Sequence, residues 1–471
     1  MGVQAQVPPG LSSIRIHDLK RDLFSLAGDS FRGRRAGTPD ELKAAAWLAQ
    51  QAQKAGLKPA GDMGTYFQYF PLERTVLAAT SEIFLNGMGL RLWEDAWVPE
   101  PAEADISGPV RWLSSLADTS KDGIKGGIVA MKILPPVPAT PSWVSLWGFR
   151  YVYKAIRLQA QALSAQGARA VVLVADSTAS AALASLEHEL DFETGYYGLP
   201  GDRQRAGATE VPVILVSENY AAALQRPGAT FVARLRETRF EYPSVNVVAI
   251  APGTDARLQQ EYLLYSSHID HDGVGIPVAG DSIWNGADDN ASVSVALLAI
   301  GRAFVQKPAR RPVLFAWHGA EERGLLGSRW MVQHPVVPKE SIVAVINGDM
   351  IGRNHPDSAA LLGVTPPHRN SKQLAEAAFE ANRQTARFKI DTSWDHKDHL
   401  ERWYFRSDHL SYARAGIPAL FFTSLLHADY HTPKDEADRI DYPKLKRMTD
   451  WMYATGWKVA NATNPPALDS K

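Results

Sequence analysis

The sequence predicts an α/β protein: a mostly parallel, mixed sheet sandwiched by helices, interrupted by an inserted β-rich unit. Three observations carry this reading. From about residue 244, short β-branched apolar runs alternate with helical periodicities of ten or more residues, the pattern of parallel strands covered on both faces. Between 76 and 240 the pattern changes to short β-rich runs joined by proline-rich connections. The length of 471 residues exceeds what one ordinary core holds, so more than one domain is expected. The chain is accordingly divided into 1–75, a helical part of the main domain, 76–240, the insertion, and 241–471, the body of the main domain.

After a polar, proline-bearing start, residues 16–28 place Leu19, Leu23 and Leu26, and residues 40–56 place Leu42, Ala45, Leu48 and Ala52, at helical spacing. Between them Arg32-Gly-Arg-Arg-Ala-Gly-Thr-Pro is a loop leading into a helix with proline in its first turn. Residues 57–75 read as loop and short strand. In the middle segment, 127–133, 170–175 and 211–216 read as strands and 153–166 as an amphipathic helix. In the main body strands are expected at 245–250, 262–267, 312–317, 342–347 and 419–423, and helices at 290–305, 322–333, 371–383 and 443–460. The segment boundaries, near 72–78 and 238–244, are expected to be exposed connections.

Composition removes several classes of function. The hydrophobic fraction of 45% and charged fraction of 21% are those of a soluble globular protein. With Lys+Arg 50 against Asp+Glu 51, the formal charge of −1 gives no electrostatic reason to bind nucleic acid or anionic lipid. No apolar run reaches the roughly 18 residues of a membrane span. The absence of cysteine excludes disulfides, thiol nucleophiles and sulfur ligands.

Five metal-capable side chains fall near strand ends or at a helix start: His268, Asp288, Glu322, Asp349 and His431. Two histidines with three carboxylates suit a pair of divalent cations sharing one carboxylate. The three carboxylates and one bridging hydroxide would neutralise such a pair, whereas a single cation would leave buried charge uncompensated. Oxygen and nitrogen donors favour two zinc ions, with manganese or cobalt the alternatives by ligand type. In His268-Ile-Asp270 the aspartate lies on the same side of the strand end and can fix the imidazole tautomer. His271-Asp272 is a competing pair, but one strand end does not aim both histidines at one point, so His271 is read as supporting the ligands or lining the pocket. In Asn285-Gly-Ala-Asp288-Asp289 the acids could be plain helix caps; Asp288 is taken as the bridging ligand. In His318-Gly-Ala-Glu321-Glu322 the plain reading is an exposed charge pair. At a strand-to-helix turn the two instead point apart, leaving Glu321 free for proton transfer.

With Asn347-Gly-Asp349-Met and Tyr430-His431-Thr-Pro completing the set, the chain resembles the M28 family of zinc peptidases, closely over 244–471 and again at Asp29-Ser-Phe-Arg-Gly-Arg-Arg-Ala-Gly-Thr-Pro. Gly126–Asp176 resembles a protease-associated (PA) domain. The resemblance implies the zinc-exopeptidase, phosphorylase/hydrolase-like fold, with His268 and Asp349 on one zinc, Glu322 and His431 on the other, and Asp288 bridging. It implies Glu321 as general base, Tyr430 beside the tetrahedral oxyanion and Arg406 as a substrate contact. The implied activity is that of an aminopeptidase acting on peptides with a free N-terminus. A carboxypeptidase or dipeptidase of the same family, a one-zinc glutaminyl-cyclase-like transferase and a non-enzymatic receptor-like homologue are the alternatives. A periplasmic or extracellular location, with the signal peptide removed, is the further expectation. No feature specifies an oligomeric state. The aromatic and histidine-rich stretch 394–409 is read as a solvated loop, or else a wall of the substrate pocket.

Overall fold

The apolar run Tyr262–His268 is the middle of the architecture, pairing in parallel with Val313–His318 on one side and Ile342–Gly348 on the other. Ala419–Thr423 extends the parallel part beyond Ile342–Gly348. The margins are mixed: Ser358–Leu362 is antiparallel to Ala419–Thr423 and carries Lys389–Asp391 at its edge, while the long strand Glu237–Ala251 is antiparallel to Val313–His318. The computed structural model describes residues 8–117, 124–134, 147–176, 196–202 and 211–469.

Side chains alternate across these strands and feed two layers. Val247, Leu263, Tyr265, Phe315, Trp317, Ile346 and Phe422 face one core with the helices Ile16–Leu26, Pro39–Lys54, Val293–Gln306, Lys372–Gln384 and Tyr442–Asn461. Val248, Leu264, Leu314, Ala316 and Val345 face the other, under the helices Leu326–Gln333 and His409–Arg414. This is why the strands read as continuous apolar runs rather than alternating ones.

The chain forms two compact units, Met1–Leu72 with Pro243–Val274 and Val278–Lys471, and Glu73–Tyr242 with Gly275–Pro277. The second contains an eight-stranded mixed sheet. Its strands Ile128–Lys132 and Ala170–Val174 are parallel, and the helix Trp147–Ala165 buries Ala155, Ile156, Ala160 and Leu163 against them. The boundaries expected at 72–78 and 238–244 coincide with the limits of the two units, and Arg239, Phe240, Glu241 and Pro243 are exposed, but both positions are strand rather than irregular connection: Phe67–Leu77 and Glu237–Ala251 run through them. Their apolar alternation is interrupted by Glu73, Arg74, Arg239 and Glu241, and this concealed the strands. No helix among the described residues is long and apolar enough to cross a membrane.

Two helices begin later than their periodicity suggests. The one expected from 290 starts at Val293, after an irregular turn over Ala287–Ser292. The one expected from 322 starts at Leu326, because Ala320, Gly324 and Leu325 take positive φ and hold 320–325 as a turn. Both departures free acidic residues from helical geometry.

The C-terminal helix lies directly on the central strand. Tyr265 is fully buried and its hydroxyl donates to the Met452 carbonyl at 2.9 Å. A Cβ on Gly456 would sit 1.8 Å from that oxygen. Gly456→Ala is therefore expected to destabilise the unit by about 1–3 kcal/mol through overpacking, although alanine favours a helix interior by about 1 kcal/mol. Urea unfolding with Tyr265→Phe as the second arm of a double-mutant cycle checks this, since removing the hydroxyl should recover part of the loss.

Candidate metal centre

The central strands deliver acids and imidazoles to one end of the sheet, where open α/β sheets place their sites. His268 ends its strand. Glu321 and Glu322 follow Val313–His318, and Asp349 follows Ile342–Gly348. Asp289 comes from the irregular turn before Val293–Gln306, and His431, at φ 49°, from the loop beyond Ala419–Thr423.

These residues form two clusters sharing one carboxylate. His268 Nε2 lies 3.2 Å from Asp289 Oδ1, 3.4 Å from Asp349 Oδ1 and 3.9 Å from Glu321 Oε2. His431 Nε2 lies 3.2 Å from Asp289 Oδ2 and 3.2 Å from Glu322 Oε2. His271 joins the second cluster, its Nδ1 2.9 Å from Glu322 Oε1.

The expected bridging residue, Asp288, is not the one placed between the histidines. Its Oδ1 accepts from Gly352 N at 2.6 Å, and its Oδ2 faces His427 Nε2 at 3.5 Å. Asp289, its neighbour, takes an extended φ of −103° and ψ of 95°, which turns its carboxylate to the opposite side. The backbone N–H groups of both residues donate to the Asp435 carboxylate, which holds the turn in that shape. Nothing in the dipeptide distinguishes the two acids, since either could cap a helix; only the turn separates them.

Positioning groups surround the clusters. Asp270 accepts the N–H groups of Glu321 and Glu322, at 3.0 and 3.2 Å, so it fixes the Glu-Glu turn rather than acting chiefly on His268, whose Nδ1 is 3.8 Å from Asp270 Oδ1. Asp272 Oδ2 stands 2.9 Å from His431 Nδ1, which points Nε2 into the cluster. The adjacency His271-Asp272 was the one available signal for this role; Asp435 had none. Asn347 is held by Ser266 and Ser407 and so steadies the approach to Asp349. His318 remains outside the clusters, between Asn246 and the Tyr412 hydroxyl.

Tyr430 is buried with its ring 4.1 Å from that of His431. Arg406 pairs with Glu401 at 3.0 Å and lies over Trp403, which meets Tyr430 edge-on. The stretch 394–409 is solvated only in part: His396, Lys397, Asp398, Leu400 and Arg402 are exposed, whereas Trp403, Tyr404 and 407–409 are buried. Asp395, fully buried, accepts the N–H groups of Gly363, Val364 and Thr365 and anchors it.

Electrostatics divides the two glutamates. Burial, reinforced by the charges of Glu322, Asp349 and Asp408 against the opposing pull of His268, holds the Glu321 carboxyl well above the usual range. Glu322 is also buried, yet the neighbouring His431 and the His271 contact bring it below that range. Burial raises Asp349 to about 6 and Asp270 to about 7. Asp289 is held well below its ordinary value by His268 and His431, against the effect of burial.

The clusters fit divalent cations. His268 Nε2, His431 Nε2 and Asp349 Oδ1 are buried and have no hydrogen-bond partner, although carboxylate oxygens or imidazole nitrogens stand 3.2–3.4 Å away. Such atoms face a common point rather than one another, with spacings close to the edges of a tetrahedron around an ion bound at about 2.0–2.2 Å. The residues that converge are His268, Asp349 and Asp289 on one side, and Glu322, His431 and Asp289 on the other. Buried carboxylates in this number need cations beside them.

The chain is similar to several known proteins. The chain is 25% identical to leucine aminopeptidase 1 of Trichophyton rubrum, over 54% of this chain and 66% of that one. It is 29% identical to aminopeptidase YwaD of Bacillus subtilis, over 40% of each. The chain spans 49–66% of the length of the fungal leucine aminopeptidases it matches. In fold it is similar to an aminopeptidase from Aneurinibacillus sp. strain AM-1, with TM-score 0.61 at 18% identity over 98% of this chain and 96% of that one. It is likewise similar to a zinc aminopeptidase from Bacillus subtilis, with TM-score 0.58 at 18% identity over 97% and 96%. Residues 246–456, which hold every member of the two clusters, match Peptidase family M28.

Proposed function

We propose that this protein is a two-zinc aminopeptidase that removes N-terminal residues from peptides. The observation that carries the reading is Asp289, whose two oxygens lie 3.2 Å from the Nε2 atoms of two different histidines. One carboxylate so placed is the shared ligand of a metal pair. His268 and Asp349 would hold one zinc, Glu322 and His431 the other. Zinc ions held there would supply Lewis acidity to the scissile carbonyl and lower the pKa of a water to about 7.

The chain's own residues do the rest. Glu321 stands beside the first cluster in a buried, proton-accepting environment. It takes the proton of the attacking water and returns it to the leaving amine. Tyr430, whose ring lies 4.1 Å from that of His431, would supply a hydroxyl donor to the developing oxyanion. Carboxylates of the site would hold a free α-ammonium group, which would make the outcome exopeptidic. The second unit holds none of these residues and carries parallel strands on either side of one helix. It fits a PA-like insertion that affects which substrates are accepted rather than the chemistry.

Turnover of aminoacyl p-nitroanilides, with no turnover of the same peptides blocked at the N-terminus, is the expected result. Cleavage of N-blocked peptides that keep a free C-terminal carboxylate would favour a carboxypeptidase. Glu321→Gln should lower kcat by about 10²–10⁴ with zinc content unchanged, whereas Glu322→Gln should lower zinc content as well. Retention of a tenth or more of kcat in a fully metallated Glu321→Gln protein would show that another group moves the proton.

Elemental analysis after dialysis should give about two zinc ions per chain, since the donors present exceed one tetrahedral set. Asp289→Asn should lose zinc from both positions, while Asp288→Asn should keep both. The reverse result would return the bridging role to Asp288.

A further inference from the structure

His271 is fully buried beside the second cluster and takes no part in the reaction just described. Its Nδ1 is 2.9 Å from Glu322 Oε1, while the other oxygen of that carboxylate, Oε2, is the one 3.2 Å from His431 Nε2. A carboxylate only accepts, so the proton in the first contact lies on Nδ1. The ring stands edge-on to His431, centroids 5.1 Å apart. It is seated on Gly286, where a Cβ would come within 2.4 Å of His271 Cγ and 2.5 Å of Cδ2. Gly286 has φ 55°, so this close approach and the backbone turn both require glycine.

The two oxygens of Glu322 are thus assigned to different partners. A carboxylate free to rotate could offer both oxygens to a cation and fill its remaining position. Resting on the two-zinc reading above, we propose that His271 is a positioning residue for the Glu322–His431 site. Its Nδ1–H occupies Oε1, so Glu322 binds through Oε2 alone and one coordination position stays open. An open position separates a catalytic zinc site from a closed structural one. Hydrogen bonds of this kind to metal ligands change affinity by about 10–100-fold when removed.

The test is calorimetric titration of the metal-free full-length protein with zinc, which reads affinity without reference to activity. Wild type is expected to show two sites. His271→Ala should weaken one of them by about 10–100-fold and spare the other. His271→Asn places an amide N–H close to the position of Nδ1 and should restore the affinity; His271→Gln places it nearer Nε2 and should behave like the alanine variant. If His271→Ala binds at both sites as wild type does, His271 has no such role. If His271→Asn is as weak as His271→Ala, the imidazole is a direct ligand and the positioning role is wrong. The Asn and Gln variants differ only in where the amide lies, so a folding defect in the alanine variant leaves that comparison decisive. A wild-type protein that takes up only one zinc defeats the two-zinc reading itself, a result distinct from either outcome for His271.

Discussion

The buried guanidinium of Arg34 is the interaction on which the site depends. It is fully enclosed, and its N–H groups donate to the carbonyl oxygens of Leu26, Ile269, Asn285 and Gly286. Those four carbonyls belong to the end of the first helix, the strand exit that bears His268, and the turn that bears Asp289. One planar fork of donors joins three segments that are remote in sequence. Burial lowers Arg34 to about 10, opposed by Asp270, Asp435, Asp289 and Glu322, so it stays charged at neutral pH. It serves at once as a tie between loops and as a fixed cation beneath the acids. A lysine has three donors on a point charge and could not meet all four carbonyls in that plane.

Above this anchor, five consecutive residues distribute the remaining work. His268 enters the first cluster, Ile269 offers its carbonyl to Arg34, and Asp270 pins the Glu321–Glu322 turn. His271 and Asp272 then reach Glu322 and His431. A strand exit permits this because successive side chains leave on opposite sides, and the chain turns away at Gly273, φ 87°. The two histidines, at i and i+3, serve two clusters instead of competing for one.

Neighbouring carboxylates with opposite shifts are a mark of divided acid–base duty. Glu321 and Glu322 are adjacent and both buried, yet the first is pushed up and the second down, because only the second meets His431 and His271. The turn at 320–325 makes the difference: had the helix begun at 322 as its periodicity suggested, neither side chain would leave the backbone along its present direction.

The sequence by itself determined the strand and helix succession, because a buried parallel sheet demands continuous apolar runs that a reader can see, as at 262–267 and 342–347. It also determined most of the acids and histidines that converge: His268, Glu321, Glu322, Asp349 and His431 stand at predictable strand ends. Tertiary structure alone decided what each of them faces. Asp289 rather than Asp288 lies between the histidines because Asp435, some 146 residues away, binds the backbone of that turn. Asp270 serves the glutamates, and Asp272 serves His431, through contacts that no local pattern encodes. Periodicity reports which side of an element is apolar; the direction of a carboxylate at an irregular turn depends on backbone dihedrals and on partners brought from elsewhere in the chain.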